Sequence, residues 1–320
     1  MFRQHFPEHG FIHPNDLEVL ANDPSEHTKL KLLAILTLVN RYMSVQDPDS
    51  DTELAAMLDT ELEHRLTEAP TFPLVQAFLV LALREWGDGQ MHRAWIHSGI
   101  ATRMMQSLIA SKQVAEMAGA ESAMPATTPE LTDTENRTVW ACFVLDRYLS
   151  CGKRRPAMMA LHDIGIPLPK SDAEFAFELA PTCLLTGQEL SNEDDESGWS
   201  TLRETERHNA HHLRMMVLGI NIWSKIHGWV AMGGRKLPGM VQPQNSPWRP
   251  GSQWARLRGE LDLWRSAQDS RFKHPDTRIS AHIHLRQGEP VAYINLVYYL
   301  RYVGFSPRYQ VRFIADRSKC

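Results

Sequence analysis

The chain has 320 residues, of which 43% are hydrophobic and 22% charged, with a formal net charge of -4. That length can bury a sizeable core as one large domain or two closely packed ones, and the composition excludes a disordered chain. So balanced a charge supplies no electrostatic footprint for nucleic acid by itself.

The amino terminus, Met1-Phe-Arg-Gln-His-Phe-Pro-Glu-His-Gly10, lacks the apolar centre of a signal peptide. Thr28 to Met43 has helical spacing. Leu30, Leu33, Ala34, Thr37 and Leu38 fall on one face, and Leu32, Ile35, Leu36 and Val39 on another, so burial on more than one side is expected. Asp51 to Leu66 is amphipathic, with the stripe Leu54, Leu58, Leu62 and Leu66. Phe72 to Trp86 is apolar almost all round and predicts a helix covered by its neighbours. Gly87-Asp88-Gly89 stops it, because glycine accepts the positive φ of a helix end. A new helix restarts at Met91, with Met91, Ala94, Trp95, Ser98, Ala101, Thr102 and Met105 along one stripe.

Ala118 to Pro129 reads as a loop. Thr132-Asp-Thr-Glu135 has the capping-box pattern and opens a helix through Val139, Trp140, Phe143, Val144, Tyr148 and Leu149. Pro169 to Gly198 reads as a second loop, ending in the acidic run Glu193-Asp-Asp-Glu196. Helices are expected over Glu206 to Trp229, Gln253 to Arg265 and Val291 to Val303, with a proline- and glycine-rich loop over Gly233 to Pro250. Alternating strand patterns are missing, so the expected fold is all-α: packed antiparallel helical hairpins forming a single large helical domain. No apolar run approaches the roughly 20 residues of a membrane span. A soluble protein of the cytosol or nucleus, without a membrane partner, follows.

Candidate chemistry is sparse. His208 and His212 stand four apart behind Glu204, a spacing at which two imidazoles can meet one metal ion. The catalytic glutamate of an HExxH motif is missing, so ordinary surface or packing histidines are the preferred reading. His282 and His284, two apart, would not share a helical face. Asp146 and Asp163 are conceivable acids or bases without a visible partner, and no nucleophile or phosphate-loop motif is present, so no catalytic residue is expected. Cys142, Cys151, Cys183 and Cys320 have no framework spacing and read as reduced thiols. Lys153-Arg154-Arg155 before Pro156 could contact phosphate or serve as a nuclear address, and more simply complements the end of the preceding helix. The methionine pairs 104–105, 158–159 and 215–216 read as core fillers that would also suit a deformable ligand pocket.

Several of these segments, in this order, resemble the regulatory middle homology domain of fungal zinc-cluster transcription factors, also described as the xylanolytic-activator regulatory domain. Phe2 to Pro14 is similar to its aromatic/histidine opening, and Val75 to Trp86 to its "VQALLLLALYEWG" helix. Arg137-Thr-Val-Trp-Ala-Cys-Phe-Val-Leu-Asp-Arg147 resembles its "R-x-x-WW-x-x-F-x-LDR" helix, and Asp163-Ile-Gly-Ile-Pro-Leu-Pro169 its close. The family's Gly-Arg-Pro is expanded here to Gly152-Lys-Arg-Arg-Pro156.

The resemblance implies a first half over residues 1–170 and a helical second half over 171–320. It implies a nuclear regulatory domain that modulates transcription by binding a small-molecule effector, a transcriptional co-regulator or a second copy of itself, with Lys153, Arg154, Arg155 and Pro156 as a regulatory loop. No cofactor is expected in this chain. Zinc and DNA contact are expected only through an upstream zinc-cluster module or a partner, since no cysteine-rich basic segment is present. The rival expectations are a protein-interaction module without a small-molecule site and a metal-dependent helical enzyme using Glu204, His208 and His212.

Overall fold

In the computed structural model, the described residues are 22–23, 25–40, 48–119, 130–150, 155–190, 200–201, 212–246 and 248–268, with Phe2, Phe6 and 9–13 at the amino terminus. The expected helix over Val291 to Val303, the acidic run, and the histidines 208, 282 and 284 lie outside them. Regular structure among the described residues is helical; the sole strand-like feature there is an isolated antiparallel bridge between Pro167 and Thr186. The chain divides into two units, one of residues 1–149 and 157–191, the other of 150–156 and 192–320.

In the first unit, α1 (Glu26–Val39), α2 (Pro48–Glu63), α3 (Phe72–Gly87) and α4 (Met91–Gly119) come first along the chain. Helix α3 is central and packs against α1 and α4. Every residue from Leu74 to Glu85 is buried, as the all-round apolar sequence demands. At about 1.5–3 kcal/mol per fully buried large aliphatic or aromatic side chain, apolar burial is the main contribution of this helix, with the part-buried ion pairs of Arg84 and Glu85 confined to its last turns. Thr71 caps its start by accepting from the Leu74 amide (3.4 Å). At its end Gly89 adopts φ 75°, and the amides of Gly89 and Gln90 return to the carbonyls of Trp86 and Glu85.

The α3–α4 hairpin is clamped on its flank. The buried Glu85 carboxylate accepts from Arg93 Nε and His97 Nδ1, both at 2.7 Å, and Arg93 also reaches Asp59 of α2 at 2.9 Å. Helix α1 is less enclosed than its two apolar stripes suggest. Leu30, Ala34 and Leu38 are buried, whereas Leu36 is 52% exposed and Leu32, Ile35 and Val39 are half-buried. In α2, Leu58 and Leu62 are buried, while Leu66 lies past the helix end and is exposed.

Helix α5 (Asp133–Ser150) starts at the expected capping box. The Thr132 amide donates to Glu135 Oε2 (2.9 Å) and the Glu135 amide to Thr132 Oγ1 (3.3 Å). It runs parallel to α3 in constant register. Gln76 Nε2 donates to Thr138 Oγ1 (2.7 Å), and ten residues further along both helices the rings of Trp86 and Tyr148 lie 5.3 Å apart.

The segment expected as one loop after Pro169 contains α6 (Asp172–Ala176) and α7 (Gly187–Leu190). Each is opened by a further capping box, Ser171 with Glu174 and Thr186 with Glu189. Glu174 is buried and accepts from the amides of Ser171 (2.7 Å) and Thr182 (2.6 Å).

Arg137 of α5 ties this segment to the amino terminus. Its guanidinium donates to the carbonyls of Gly10 (3.0 Å) and Lys170 (2.9 Å), pairs with Asp172 (2.7 Å) and lies 4.1 Å over the Phe175 ring. His13 Nε2 donates to the Phe175 carbonyl at 2.6 Å, and Phe2 and Phe11 are buried with it.

In the second unit α8 (His212–Ala231) and α9 (Gln253–Ala267) pack antiparallel. Trp264 Nε1 donates to the Met215 carbonyl (2.8 Å) at one end, and Lys225 pairs with Glu260 (2.9 Å) further along. Met215 and Met216 are buried in this core, whereas Trp248, on the loop between the helices, is 80% exposed.

Arg137→Met keeps the apolar stem but strips Asp172 and two carbonyls of their donor. It is expected to cost about 3 kcal/mol, read as a lower urea midpoint in equilibrium unfolding.

A second expectation concerns acid. Burial lowers the His9 imidazole from 6.5 to about 3. Burial pulls the Glu174 carboxyl upward, but its hydrogen bonds from Ser171 and Thr182 outweigh this and bring it from 4.5 to about 2. Both groups bind fewer protons folded than unfolded, so stability falls as pH drops: from 6.5 toward about 3 for His9, and from 4.5 toward about 2 for Glu174. Denaturant titrations across this range should show both losses, and Glu174→Gln should remove the lower one.

Candidate functional site

Helix α5 carries on one side a set of polar and aromatic groups aimed at the irregular segment that follows it. The Asp146 carboxylate, buried, accepts from the amides of Met158 (2.9 Å) and Met159 (3.1 Å). Arg147 donates to the Met159 carbonyl and rests 4.8 Å over the Phe143 ring. Asn136 Nδ2 (2.9 Å) and Trp140 Nε1 (2.8 Å) share the Pro167 carbonyl. Apart from a 3-10 turn at Leu161–Asp163 this stretch has no regular ladder to satisfy its backbone, and buried amides and carbonyls left alone are costly. These side chains supply the missing partners and fix residues 158–167 against the helix.

A cavity of about 180 Å³ opens between α4, α5 and this fixed segment. Met105, Val139, Met158, Met159 and Ile166 form its apolar wall, while Gln106, Gln113 and Asp163 bring polar groups. Met105 of one methionine pair and both members of another, Met158 and Met159, thus meet at one site, which their separation along the chain did not disclose. Thioether side chains adapt to irregular contents at little cost. Gly99 of α4 makes room for one of them: a Cβ there would lie 3.3 Å from the Met158 sulfur. Neighbouring Cys142 is fully buried, and burial together with Asp146 raises its thiol pKa, so it stays protonated.

The other candidates fall elsewhere. Asp146 has partners, two backbone amides, so its carboxylate is committed to structure. Asp163 is exposed, 3.4 Å from His162 Nε2. Of the basic loop, Lys153 and Arg154 lie outside the described residues, Arg155 is half-buried, Pro156 is exposed, and the Pro156 carbonyl accepts from Ser150 Oγ (3.3 Å). His212 opens α8, and its partner His208 is outside the described residues. Among the described residues no group of three His, Cys, Asp or Glu side chains could hold a metal ion. No described helix is long and apolar enough to cross a membrane. The Asp146 clamp was missed at the sequence level because its acceptor role depends on a backbone twelve residues away.

The sequence model described as the fungal specific transcription factor domain matches residues 2–231, which include α1 to α8, the Asp146 clamp and the cavity. Among curated proteins, the Zn(2)-C6 fungal-type transcription factor FTF1c of Fusarium oxysporum f. sp. lycopersici is 29% identical over 178 residues, covering 54% of this chain and 18% of that protein. The transcriptional regulatory protein C1327.01c of Schizosaccharomyces pombe is 23% identical over 236 residues, covering 72% of this chain and 23% of that protein. Another from the same yeast, PB1A11.04c, is 27% identical over 219 residues, covering 65% and 30%. The chain therefore spans less than a third of the length of each of these relatives. No solved structure matches it. The resemblance seen in the helix motifs and the match over residues 2–231 agree: the chain belongs to the fungal specific transcription factor domain family.

Proposed function

We propose that this chain is the regulatory part of a nuclear fungal transcription factor, and that it senses an effector by holding it without transforming it. The supporting observation is the cavity whose wall, Met158–Met159, is fastened to α5 by Asp146 and Arg147. A ligand that fits one position of that wall better than another shifts the population of the domain, and through it the exposure of a surface read by the transcription machinery. Zinc and sequence-specific DNA contact come, on this reading, from a zinc-cluster module like the one named in the Fusarium relative's description.

The clamp is the place to test this. In Asp146→Asn one charged acceptor serving two amides becomes a neutral one, which should lower stability by about 2 kcal/mol. Fused to a heterologous DNA-binding module, that variant should change reporter transcription several-fold at matched protein level. Thr132→Ala, which loses a helix cap worth about 1 kcal/mol but keeps the clamp, should leave output unchanged. Equal output from wild type and Asp146→Asn would remove the wall from any regulatory role.

A further inference from the structure

We infer that the cavity selects a compact, apolar ligand that is neutral or cationic, and that Asp163 sets this preference at its edge. The inference rests on reading the cavity as the effector site. Size comes first. At about 180 Å³ the space is below the roughly 300–1,000 Å³ of drug-sized sites, and close to the ~150 Å³ apolar cavity that admits one benzene. A single ring or a short branched chain fits within it; a nucleotide, a disaccharide or a long acyl chain would have to project beyond its mouth.

Polarity comes second. The wall of Met105, Val139, Met159 and Ile166 is buried and offers no charged side chain, so the body of the ligand is apolar. Charge comes third. Among the described lining residues Asp163 is the one charged side chain, and none is cationic. Arg103 lies outside the lining and is engaged on Gln106 Oε1 (3.0 Å), which directs the Gln106 amide nitrogen to other acceptors. Asp146, the second carboxylate nearby, faces the amides behind the wall. A carboxylate or phosphate ligand would therefore meet a like charge and no cation in the lining; His162, outside the lining, lies 3.4 Å from the Asp163 carboxylate and tempers its charge. An amine would meet Asp163, and an alcohol could use Gln106. Because Asp163 is 70% exposed, solvent screens the pairing and the preference is modest.

Three probes of one shape, benzylamine, benzyl alcohol and benzoate, separate these ideas in binding titrations and thermal shifts on the full 320-residue chain. At low salt, benzylamine should bind about fivefold more tightly than benzoate, with benzyl alcohol between them and the gap narrowing as salt rises. Asp163→Asn, at an exposed position, should close the gap while leaving benzyl alcohol unchanged. Ala110→Phe, on the exposed side of the lining, should abolish all three. Benzoate binding as tightly as benzylamine, with Ala110→Phe still blocking both, would overturn the charge preference and leave the cavity as a site. Binding of no probe, or binding indifferent to Ala110→Phe, would overturn the site itself.

Discussion

The structure of the first unit depends on one requirement: an irregular backbone lying against a helix must have its polar groups answered. Helix α5 meets it with side chains. Arg137 answers the carbonyls of Gly10 and Lys170, Asn136 and Trp140 answer that of Pro167, and Asp146 and Arg147 answer the amides and carbonyl of Met158 and Met159. A purely apolar helix face could have buried the same segment but not held it in one place. The family motif on this helix is thus a docking device for chain with little secondary structure of its own, a single 3-10 turn at Leu161–Asp163 and an isolated bridge at Pro167.

That accounts for several charged and aromatic residues of the motif: their polar groups are spent on backbone contacts. The arginine at 137 is nearly inaccessible, stacked on Phe175 and paired with Asp172. A buried guanidinium left without partners would be strongly destabilising, so the amino-terminal segment, α5 and α6 are required together. Around them the energy comes chiefly from apolar burial on α3, with Glu85, Arg93 and His97 fixing how α4 returns along it. The cavity is left where α4, α5 and the fastened segment meet, and flexible methionines form part of its wall.

Much of the fold was legible from residues. The Thr132/Glu135 box, the buried α3 and the glycine turn at 87–89 all fall where the pattern puts them. The same box pattern stands at Ser171/Glu174 and Thr186/Glu189, yet went unread, because helices of five and four residues are too short to show an apolar period. The stripe on α1 misled for a different reason: periodicity counts apolar residues on each face but cannot say which face a neighbour will cover, and Leu36 stays in solvent.

By itself the sequence determined the all-α class, the positions of the long helices and the family motifs, because these depend on short-range spacing and capping between residues at most a few turns apart. Tertiary structure decided the rest. It brought Met105 to Met158 and Met159, gave Asp146 its two amides, and left Asp163 at the edge of a cavity. Those relations join residues tens of positions apart in part, and through backbone groups that every residue type shares, so no spacing rule encodes them.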